Sequence, residues 1–380
     1  MDMRRRDLIS GSLLAALSAT LKLHGATLLP AFLSGGQSRR LRAVHVGTPV
    51  PVDENSGDTW VAAWGADDNL YSPSNDTTGF HKAPSANVAF NRIDGSDPLH
   101  LSGITVNPMA DYGEAGKTGP DGCTWKSSGC TFLDGALYLV VARHKYGEVS
   151  GDPHRRQPAH NASIIKSIDY GRTWTRPADV NYRAPMFPGQ RFATPYFIEF
   201  GRKGWGQAHV GDYIYALSNN GFWDCGDDVV LGRVARSKIG LLNGSDWEFF
   251  RGGNGELATS WTKDMNDAKP VLSESGRFGM AGAVYLHSQQ RYFMIGWYYP
   301  AGGGKMAGAA THTAWDFYES PRPWGPWTRI GSYESMPSGY YSPQICPKFQ
   351  TSNRVFVFTA GNWNSPKDYR LTVIPLEIET

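Results

Sequence analysis

The sequence predicts an all-β protein built from repeated antiparallel units. Segments in which apolar and polar residues alternate recur from Gly57 onward, and helical periodicity is almost absent. Aromatic residues make up 13% of the chain, charged residues only 19%, and 44 of the 380 residues are glycines, which is typical of many strands joined by tight turns. One hairpin is clear at residues 167–174, where Asp169 and Gly171 suit a tight turn and Trp174 suits the core of the next strand.

Five modules follow one another along the chain. Each starts with an aromatic or small-residue strand, continues into a strand rich in Val, Ile, Leu and Tyr, and ends in one or two amphipathic strands. The module starts are Trp60, Trp125, Phe192, Gly279 and Tyr341. Such a series predicts a five-bladed β-propeller, in which each blade packs on its neighbours. A seven-bladed β-propeller of shorter blades is the alternative, since some of these strands could belong to separate blades.

The strands of each module can be placed from these patterns. In chain order they are residues 58–64, 70–71 and 86–93; 125–132, 136–143 and 163–166; 192–198, 213–218, 229–236 and 247–250; 279–286, 291–298 and 313–320; and 341–349, 354–359 and 370–378. We interpret the Gly-, Asn- and Ser-rich residues 251–276 as a surface insertion. Residues 42–46 and 371–378 would complete one blade together.

The N-terminal residues have the order of an export signal. Arg4, Arg5 and Arg6 precede a short apolar run, and polar residues follow from Ser34. The paired arginines resemble a bacterial twin-arginine signal. We therefore expect residues 1–38 to be a signal peptide that is removed or disordered, residues 42–380 to form a single β-propeller domain, and the protein to be periplasmic or secreted. A membrane anchor is disfavoured because Lys22 interrupts a run that falls short of the roughly 20 residues of a spanning helix.

Charge and cysteine content limit the partners. A net charge of +2 provides no basic field for nucleic acid or an anionic membrane, and we expect a monomer without a membrane span in the mature form. A local disulfide between Cys123 and Cys130 stays open, whereas Cys225 and Cys346 suit buried free thiols. No Cys-x-x-Cys occurs, so a cysteine-ligated zinc site is disfavoured. We expect no cofactor, with a structural calcium ion in the channel as an open alternative.

Several stretches resemble a family of secreted bacterial five-bladed propellers, domains of unassigned activity related to endo-acting arabinan hydrolases. The matching stretches are residues 57–60 and 67–71, 125–129 and 218–223. Residues 167–174 resemble the Asp-box of sialidase-type propellers, and residues 323–328 resemble a turn of furanosidase propellers. Residues 143–146 and the region of Arg191 are also similar to propeller enzymes that act on rhamnose–glucuronate linkages. The resemblance implies a carbohydrate-active enzyme.

One mouth of a propeller channel collects side chains from several blades, and we expect the site there. Glycoside hydrolysis needs two carboxyl groups across one sugar ring, for which Asp58 and Asp67 are candidates. Elimination at a uronate needs a base, an acid and a cation, for which His144, Tyr146 and Arg191 or Lys126 are candidates. An ordinary hairpin turn is the competing interpretation of Asp67, and a strand end is that of His144.

The sequence thus predicts an exported glycoside hydrolase that cleaves a polysaccharide or oligosaccharide at the channel mouth. The predicted catalytic residues are Asp58, Asp67, His144 and Arg191, and the predicted substrate-binding residues are Trp60, Lys126, Tyr146, Asn219, Trp223 and Tyr341. A polysaccharide lyase and a non-catalytic carbohydrate-binding propeller are the alternatives.

Overall fold

A computed structural model describes residues 40–149, 152–201, 212–300, 312–336 and 338–380. The expected signal peptide lies outside these residues, so its cleavage stays a prediction, as does the assignment of residues 42–380 to one domain. Within the described ranges, no helix is long and apolar enough to cross a membrane.

The first half of the chain forms two antiparallel sheets, preceded by two short strands that pair with the last strand of the chain. Strands β1 (Ala43–Val46) and β2 (Val50–Pro51) precede the first sheet. That sheet contains β3 (Asn55–Asp58), β4 (Ala63–Trp64), β5 (Leu70–Phe80), β6 (Ala86–Asp94) and β7 (Ser102–Asn107). The second sheet contains β8 (Thr124–Leu133), β9 (Ala136–His144) and β12 (Ala159–Ser167), with the hairpin of β10 (Glu148–Val149) and β11 (Asp152–Arg156) inserted before its last strand.

The second half forms three further groups of antiparallel strands. The third comprises β13 (Tyr196–Glu199), β14 (Tyr213–Asn219), β15 (Gly226–Ala235), β16 (Glu248–Phe250), β17 (Trp261–Thr262) and β18 (Pro270–Phe278). The fourth comprises β19 (Ala283–Leu286), β20 (Arg291–Tyr298), β21 (Thr313–Ser320) and β22 (Thr328–Ser335). The fifth comprises β23 (Tyr341–Ile345), β24 (Arg354–Ala360) and β25 (Leu371–Glu379). Strand β25 also pairs with β1 and β2.

Helices are few and short in the described ranges. One α-helix, α1, spans Ala178–Arg183. Short 3-10 helices occupy Ala110–Tyr112, Arg236–Leu241, Gly244–Asp246, Ala258–Ser260 and Met265–Asp267. The predicted all-β class is therefore confirmed.

The first and last strands of the described residues share one sheet. Strand β1 runs antiparallel to β25, with Ala43 opposite Glu379 and Val46 opposite Leu376. This confirms the prediction that residues 42–46 and 371–378 complete a blade together. Because β25 also pairs with β24, the pairing fixes the first residues of the fold to the last.

The first strands of successive sheets also contact one another. Strand β4 contacts β8, β8 contacts β13, β13 pairs in parallel with β19, and β19 contacts β23; the last sheet contacts the first through β24 and β3. This succession of antiparallel sheets is that of a β-propeller, and the predicted class is confirmed. The blade count of five stays a prediction, because the second sheet pairs only three strands and a parallel pair joins the third and fourth groups.

Side-chain hydrogen bonds hold the turn at residues 167–174. The backbone N–H of Gly171 donates to Ser167 Oγ over 2.8 Å, and Thr173 Oγ1 donates to Asp169 Oδ2 over 2.7 Å. Trp174 packs edge-on against Phe90, with ring centroids 4.9 Å apart. The turn thus fixes the end of the second sheet against the first, while a relationship to the sialidase Asp-box stays a prediction.

Two local expectations need correction. Residues 251–276 are not only a surface insertion, because β17 and β18 lie there and β18 pairs with β15. All four cysteines are free and buried, so Cys123 and Cys130 form no disulfide. Cys130 lies within the extended strand β8 and Cys123 just before it. Since a strand rises about 3.3 Å per residue, their Cα atoms lie roughly 20 Å apart, far beyond the reach of a disulfide.

A small cavity of about 10 Å³ lies where the sheets meet. Residues on or beside a strand of every sheet line it, among them Val61, Cys130, Glu199, Ala283 and Gln344. Glu199 is buried, and its Oε1 has no hydrogen-bond partner among the described residues. Burial raises the pKa of Glu199 to about 8, although the nearby hydroxyl of Thr131 opposes the shift. The carboxyl group is thus protonated at neutral pH.

We predict that Glu199→Gln removes one part of the pH dependence of stability. The folded state keeps the proton of Glu199 up to about pH 8, whereas the unfolded chain loses it near pH 4.5, so this group's contribution falls as pH rises between those values. Chemical unfolding at several pH values would show the free energy of unfolding of the parent falling relative to that of the variant. Equal slopes for both proteins would contradict the protonated state.

Candidate active site

A cavity of about 580 Å³ is lined by residues from several sheets. One group of lining residues is ionisable: Asp58, Asp76, Lys126, His144, Arg156 and Asp224. The other group is aromatic: Tyr146, Trp223, Trp297, Tyr299, Tyr341, Trp363 and Tyr369. A cavity of this size with apolar walls and a few convergent polar groups is a typical small-molecule site.

An ion pair between a buried lysine and a partly buried aspartate joins the first two sheets in the wall of this cavity. Lys126 Nζ on β8 contacts Asp76 Oδ2 on β5, and the lysine side chain is only 4% exposed. The hydroxyl of Tyr146 donates to the same carboxylate oxygen over 2.6 Å, and Lys126 Nζ lies 5.2 Å from the centre of the Tyr146 ring. Asp76 Oδ1 is buried and has no partner in the described part of the chain. One oxygen of this carboxylate is therefore left for a ligand.

An irregular pairing of β3 with β5 brings Asp58 close to Asp76. Asp58 lies opposite Asn75, and the register shifts between Ser56 and Asp58. Asp76 has a φ of 43°, a left-handed conformation that is unusual inside a strand. Consecutive strand residues normally face opposite sides of a sheet, yet Asn75 donates to the carbonyl of Ser127 while Asp76 contacts Lys126. The left-handed residue explains how both side chains reach β8.

Hydroxyl groups surround the Asp58 carboxylate. Tyr341 and Tyr369 donate to Asp58 Oδ2 over 2.9 and 3.2 Å, and Thr59 donates to Oδ1 over 3.0 Å. Tyr341 lies on β23, and Tyr369 precedes β25. The last sheet of the chain therefore positions a carboxyl group that belongs to the first sheet.

The two neighbouring carboxyl groups have opposite pKa shifts. Burial raises the pKa of Asp58, and the negative charge of Asp76 adds to this effect, although Lys126 and the hydroxyl donors oppose it. Burial alone would also raise the pKa of Asp76, but the charge of Lys126 and hydrogen bonds from Lys126 and Tyr146 outweigh it, so the pKa is lowered. At one and the same pH, the carboxyl group with the raised pKa can hold a proton while the carboxyl group with the lowered pKa is ionised and can accept one.

A second buried ion pair lies in the cavity wall. Arg156 contacts Asp224 Oδ2, and the two side chains are 5% and 1% exposed. Gln157 Nε2 donates to the same oxygen over 3.1 Å. Asp224 Oδ1 is buried without a hydrogen-bond partner among the described residues. The guanidinium carbon of Arg156 lies 5.6 Å from the centre of the Tyr299 ring.

His144 ends strand β9 and lies between two aromatic rings. Its ring centroid lies 4.9 Å from that of Tyr146 and 5.2 Å from that of Trp223. Burial, with the nearby positive charge of Lys126, lowers the pKa of His144 to about 3. The imidazole is therefore neutral at any pH near 7 and is a weak base.

The structure brings six of the ten predicted site residues together. Those that line the cavity are Asp58, Lys126, His144, Tyr146, Trp223 and Tyr341. The other four, Asp67, Arg191, Trp60 and Asn219, do not line it. The catalytic and binding roles of the six stay predictions.

Asp67 and Arg191 were placed wrongly because each has a structural partner elsewhere. Asp67 accepts a hydrogen bond from the Tyr71 hydroxyl over 2.7 Å and one from the Asn69 side chain over 3.0 Å. It is thus a hairpin-turn residue. Arg191 pairs with Asp228 over 3.2 Å and donates to the carbonyl of Ala268, which directs its charge to the third sheet.

Trp60 and Asn219 also lie outside the cavity, because the polar groups of both side chains bond to the backbone of the fold. Trp60 is 0% exposed, donates from its indole nitrogen to the carbonyl of Gly57 over 2.9 Å, and packs edge-on against Phe80. Asn219 donates to the carbonyl of Phe278 over 2.9 Å and accepts from the backbone of Gly221 over 3.0 Å. Both side chains hold the fold in place.

Sequence reasoning missed several cavity residues. Asp76 has the clearest role among them, but it lies in the polar stretch Ser74–Thr78 without a local motif. Arg156, Asp224 and Tyr369 were also absent from the predicted site residues. Asp76, Arg156 and Asp224 are recognised by their contacts with a group of opposite charge. Each contact joins residues that are distant in the sequence, so it is visible only in the structure.

One group of metal-ligand types lies close together in the described ranges. It consists of Asp121, Cys123 and His160, and none of the three lines the cavity. Both oxygens of Asp121 already accept hydrogen bonds from Arg143, over 3.0 and 2.7 Å. Calcium prefers several oxygen ligands, so this group does not fit calcium. A calcium ion in the channel stays an untested alternative.

A family model matches most of the chain. The domain of unknown function DUF4185 matches residues 87–374. The chain belongs to this family. No curated protein matches the sequence significantly.

Solved structures with a similar fold include three from different organisms. A suspected hydrolase from Bacteroides ovatus ATCC 8483 has a TM-score of 0.50 at 15% identity, over 87% of each chain. A GH32 β-fructofuranosidase from Bombyx mori has a TM-score of 0.49 at 11% identity, over 88% of this chain and 61% of the other. A xylan β-1,4-xylosidase from Bacillus halodurans C-125 has a TM-score of 0.44 at 11% identity, over 86% and 54%. At these identities the likeness concerns the fold alone.

We predict that Lys126→Met destabilises the fold by about 1–3 kcal/mol, because it leaves the partly buried Asp76 carboxylate, whose side chain is 25% exposed, without its cation. The double variant Lys126→Met, Asp76→Asn should recover part of this loss. Denaturant unfolding of the two single variants and the double variant measures the coupling. Strictly additive losses would show that the ion pair contributes nothing.

Proposed function

We propose that this protein is an exported, carbohydrate-active glycoside hydrolase that cleaves a polysaccharide or oligosaccharide in the cavity. The observation that carries the proposal is the pair of neighbouring carboxyl groups with opposite pKa shifts, Asp58 and Asp76, in a cavity with aromatic walls. Glycoside hydrolysis needs one protonated and one ionised carboxyl group at the same sugar ring.

The pKa directions assign the two roles. Asp58, whose pKa is raised, donates a proton to the oxygen of the leaving sugar. Asp76, whose pKa is lowered, uses its carboxylate to activate water or to attack the anomeric carbon. The unpartnered Oδ1 of Asp76 suits this role, because Lys126 and Tyr146 occupy only Oδ2.

The walls of the cavity suit a sugar. Aromatic rings pack well against the apolar face of a sugar ring, and Trp363 is 39% exposed while it lines the cavity. The resemblance to arabinan hydrolases makes arabinan the first polysaccharide to test. Export to the periplasm or the medium and a monomeric state belong to the same proposal.

Elimination at a uronate has less support from the site. A lyase needs a base of adequate strength and a cation free to neutralise the uronate carboxylate. His144 has a pKa of about 3, which makes it a weak base. The cations in the cavity wall, Lys126 and Arg156, already contact Asp76 and Asp224.

We predict that Asp58→Asn and Asp76→Asn each lower kcat by about a hundredfold or more, since each removes one partner of the acid and base pair. Release of reducing ends from a panel of plant and bacterial polysaccharides measures hydrolysis. Absorbance of an unsaturated uronate product in the same reactions detects elimination.

Asp67→Asn and Arg191→Ala are the matched controls, because both residues lie outside the cavity. Both controls should keep near-parental activity. Full activity of Asp58→Asn and Asp76→Asn would refute the assignment of the two roles. A product with an unsaturated uronate would favour the lyase, and binding without any cleavage would favour a carbohydrate-binding propeller.

A further inference from the structure

We propose that His144 Nδ1 is a hydrogen-bond acceptor for a hydroxyl group of the ligand, and that Gln157 and Asp224 are positioning residues that hold it in this state. The inference rests on the proposed function only in taking the ligand to be a carbohydrate. It adds to the proposed site a residue that binds a hydroxyl group of the ligand, and two residues that orient the imidazole ring of that residue.

The orientation of the Gln157 amide is fixed by its neighbours. Arg156, which can only donate hydrogen bonds, contacts Asp224 Oδ2, so this oxygen is an acceptor even though burial raises the pKa of Asp224 against the opposing charge of Arg156. Asp224 Oδ2, 3.1 Å from Gln157 Nε2, therefore requires the NH₂ group of Gln157 on its side. The carbonyl oxygen of Gln157 must therefore face the other way, toward His144.

That oxygen in turn fixes the tautomer of His144. His144 Nε2 lies 2.9 Å from Gln157 Oε1, which can only accept, so Nε2 carries the hydrogen. A neutral imidazole then has a bare lone pair on Nδ1. The low pKa of His144, about 3, agrees with a neutral ring that keeps this lone pair.

No group in the described part of the chain donates a hydrogen bond to His144 Nδ1. His144 is 1% exposed and lines the cavity, and its Nδ1 is buried with no partner among the described residues. A buried polar atom without a partner is costly unless a ligand or water satisfies it. A neutral imidazole nitrogen accepts from a hydroxyl and repels a carboxylate, so the ligand group is a sugar hydroxyl.

The first test is the tautomer, which does not depend on activity. Long-range ¹H–¹⁵N NMR of the imidazole should show the hydrogen of His144 on Nε2 between pH 5 and 8. Gln157→Leu should give a mixture of tautomers, and Gln157→Asn should not restore the parental spectrum because it is shorter. A hydrogen on Nδ1 in the parent protein would overturn the proposal.

The second test is binding of neutral oligosaccharides from arabinan, xylan and galactan to the non-cleaving Asp76→Asn protein, by calorimetry. In that background His144→Asn should keep the affinity within about threefold, because its amide can place an oxygen near the Nδ1 position. His144→Gln, which restores only the group near Nε2, and His144→Phe should each lose about tenfold or more. His160→Asn, a half-buried histidine outside the cavity, is the control.

Equal affinities for His144→Asn and His144→Phe, or no binding of any oligosaccharide, would overturn the proposal. The hydrolase proposal can fail separately. If oligosaccharides bind with the predicted ranking but the parent protein cleaves none of them, the acceptor stands and the hydrolase does not.

Discussion

The contact between Lys126 and Asp76 is the interaction on which the rest of the site depends. Removing two charges from water costs several kcal/mol per ion, and a close partner offsets this cost. Lys126 also acts electrostatically on Asp58, His144 and Tyr146, so one ammonium group influences four ionisable neighbours. Without it, Asp76 would lose the interaction that keeps its carboxyl group ionised inside the protein.

The backbone beside the cavity is irregular, and these irregularities direct polar side chains into the cavity. Residues with left-handed φ lie at or next to cavity side chains: Thr59 after Asp58, Asp76 itself, Gln157 after Arg156, and Ser342 after Tyr341. Such conformations cost of order 1–3 kcal/mol each and persist only where the surroundings enforce them. They turn side chains out of the regular alternation of a strand, and so direct polar groups to one cavity.

Much of the fold could be predicted from the sequence, because strands and turns leave local signals. The apolar run of β9, the turn at residues 167–174 and the pairing of β1 with β25 are examples. Lys126 and His144 could also be placed, since ionisable groups on inner strands are unusual. Asp76 could not, because its role depends on a left-handed residue within a strand.

The errors have the same physical origin. Arg191 resembled a site cation, but its carboxylate partner, Asp228, is distant in sequence. Trp60 resembled a sugar platform, yet indole rings serve cores equally well. A sequence shows which residues are able to do chemistry, whereas the partner of each charge decides which of them do it.

The most direct measurement is the titration of the two aspartates by ¹³C NMR of selectively labelled protein. The carboxyl carbon of Asp76 should report a pKa below the ordinary value of 3.8, and that of Asp58 a pKa above it. A lower pKa for Asp58 than for Asp76, or the ordinary value for both, would contradict the acid and base roles of the two groups.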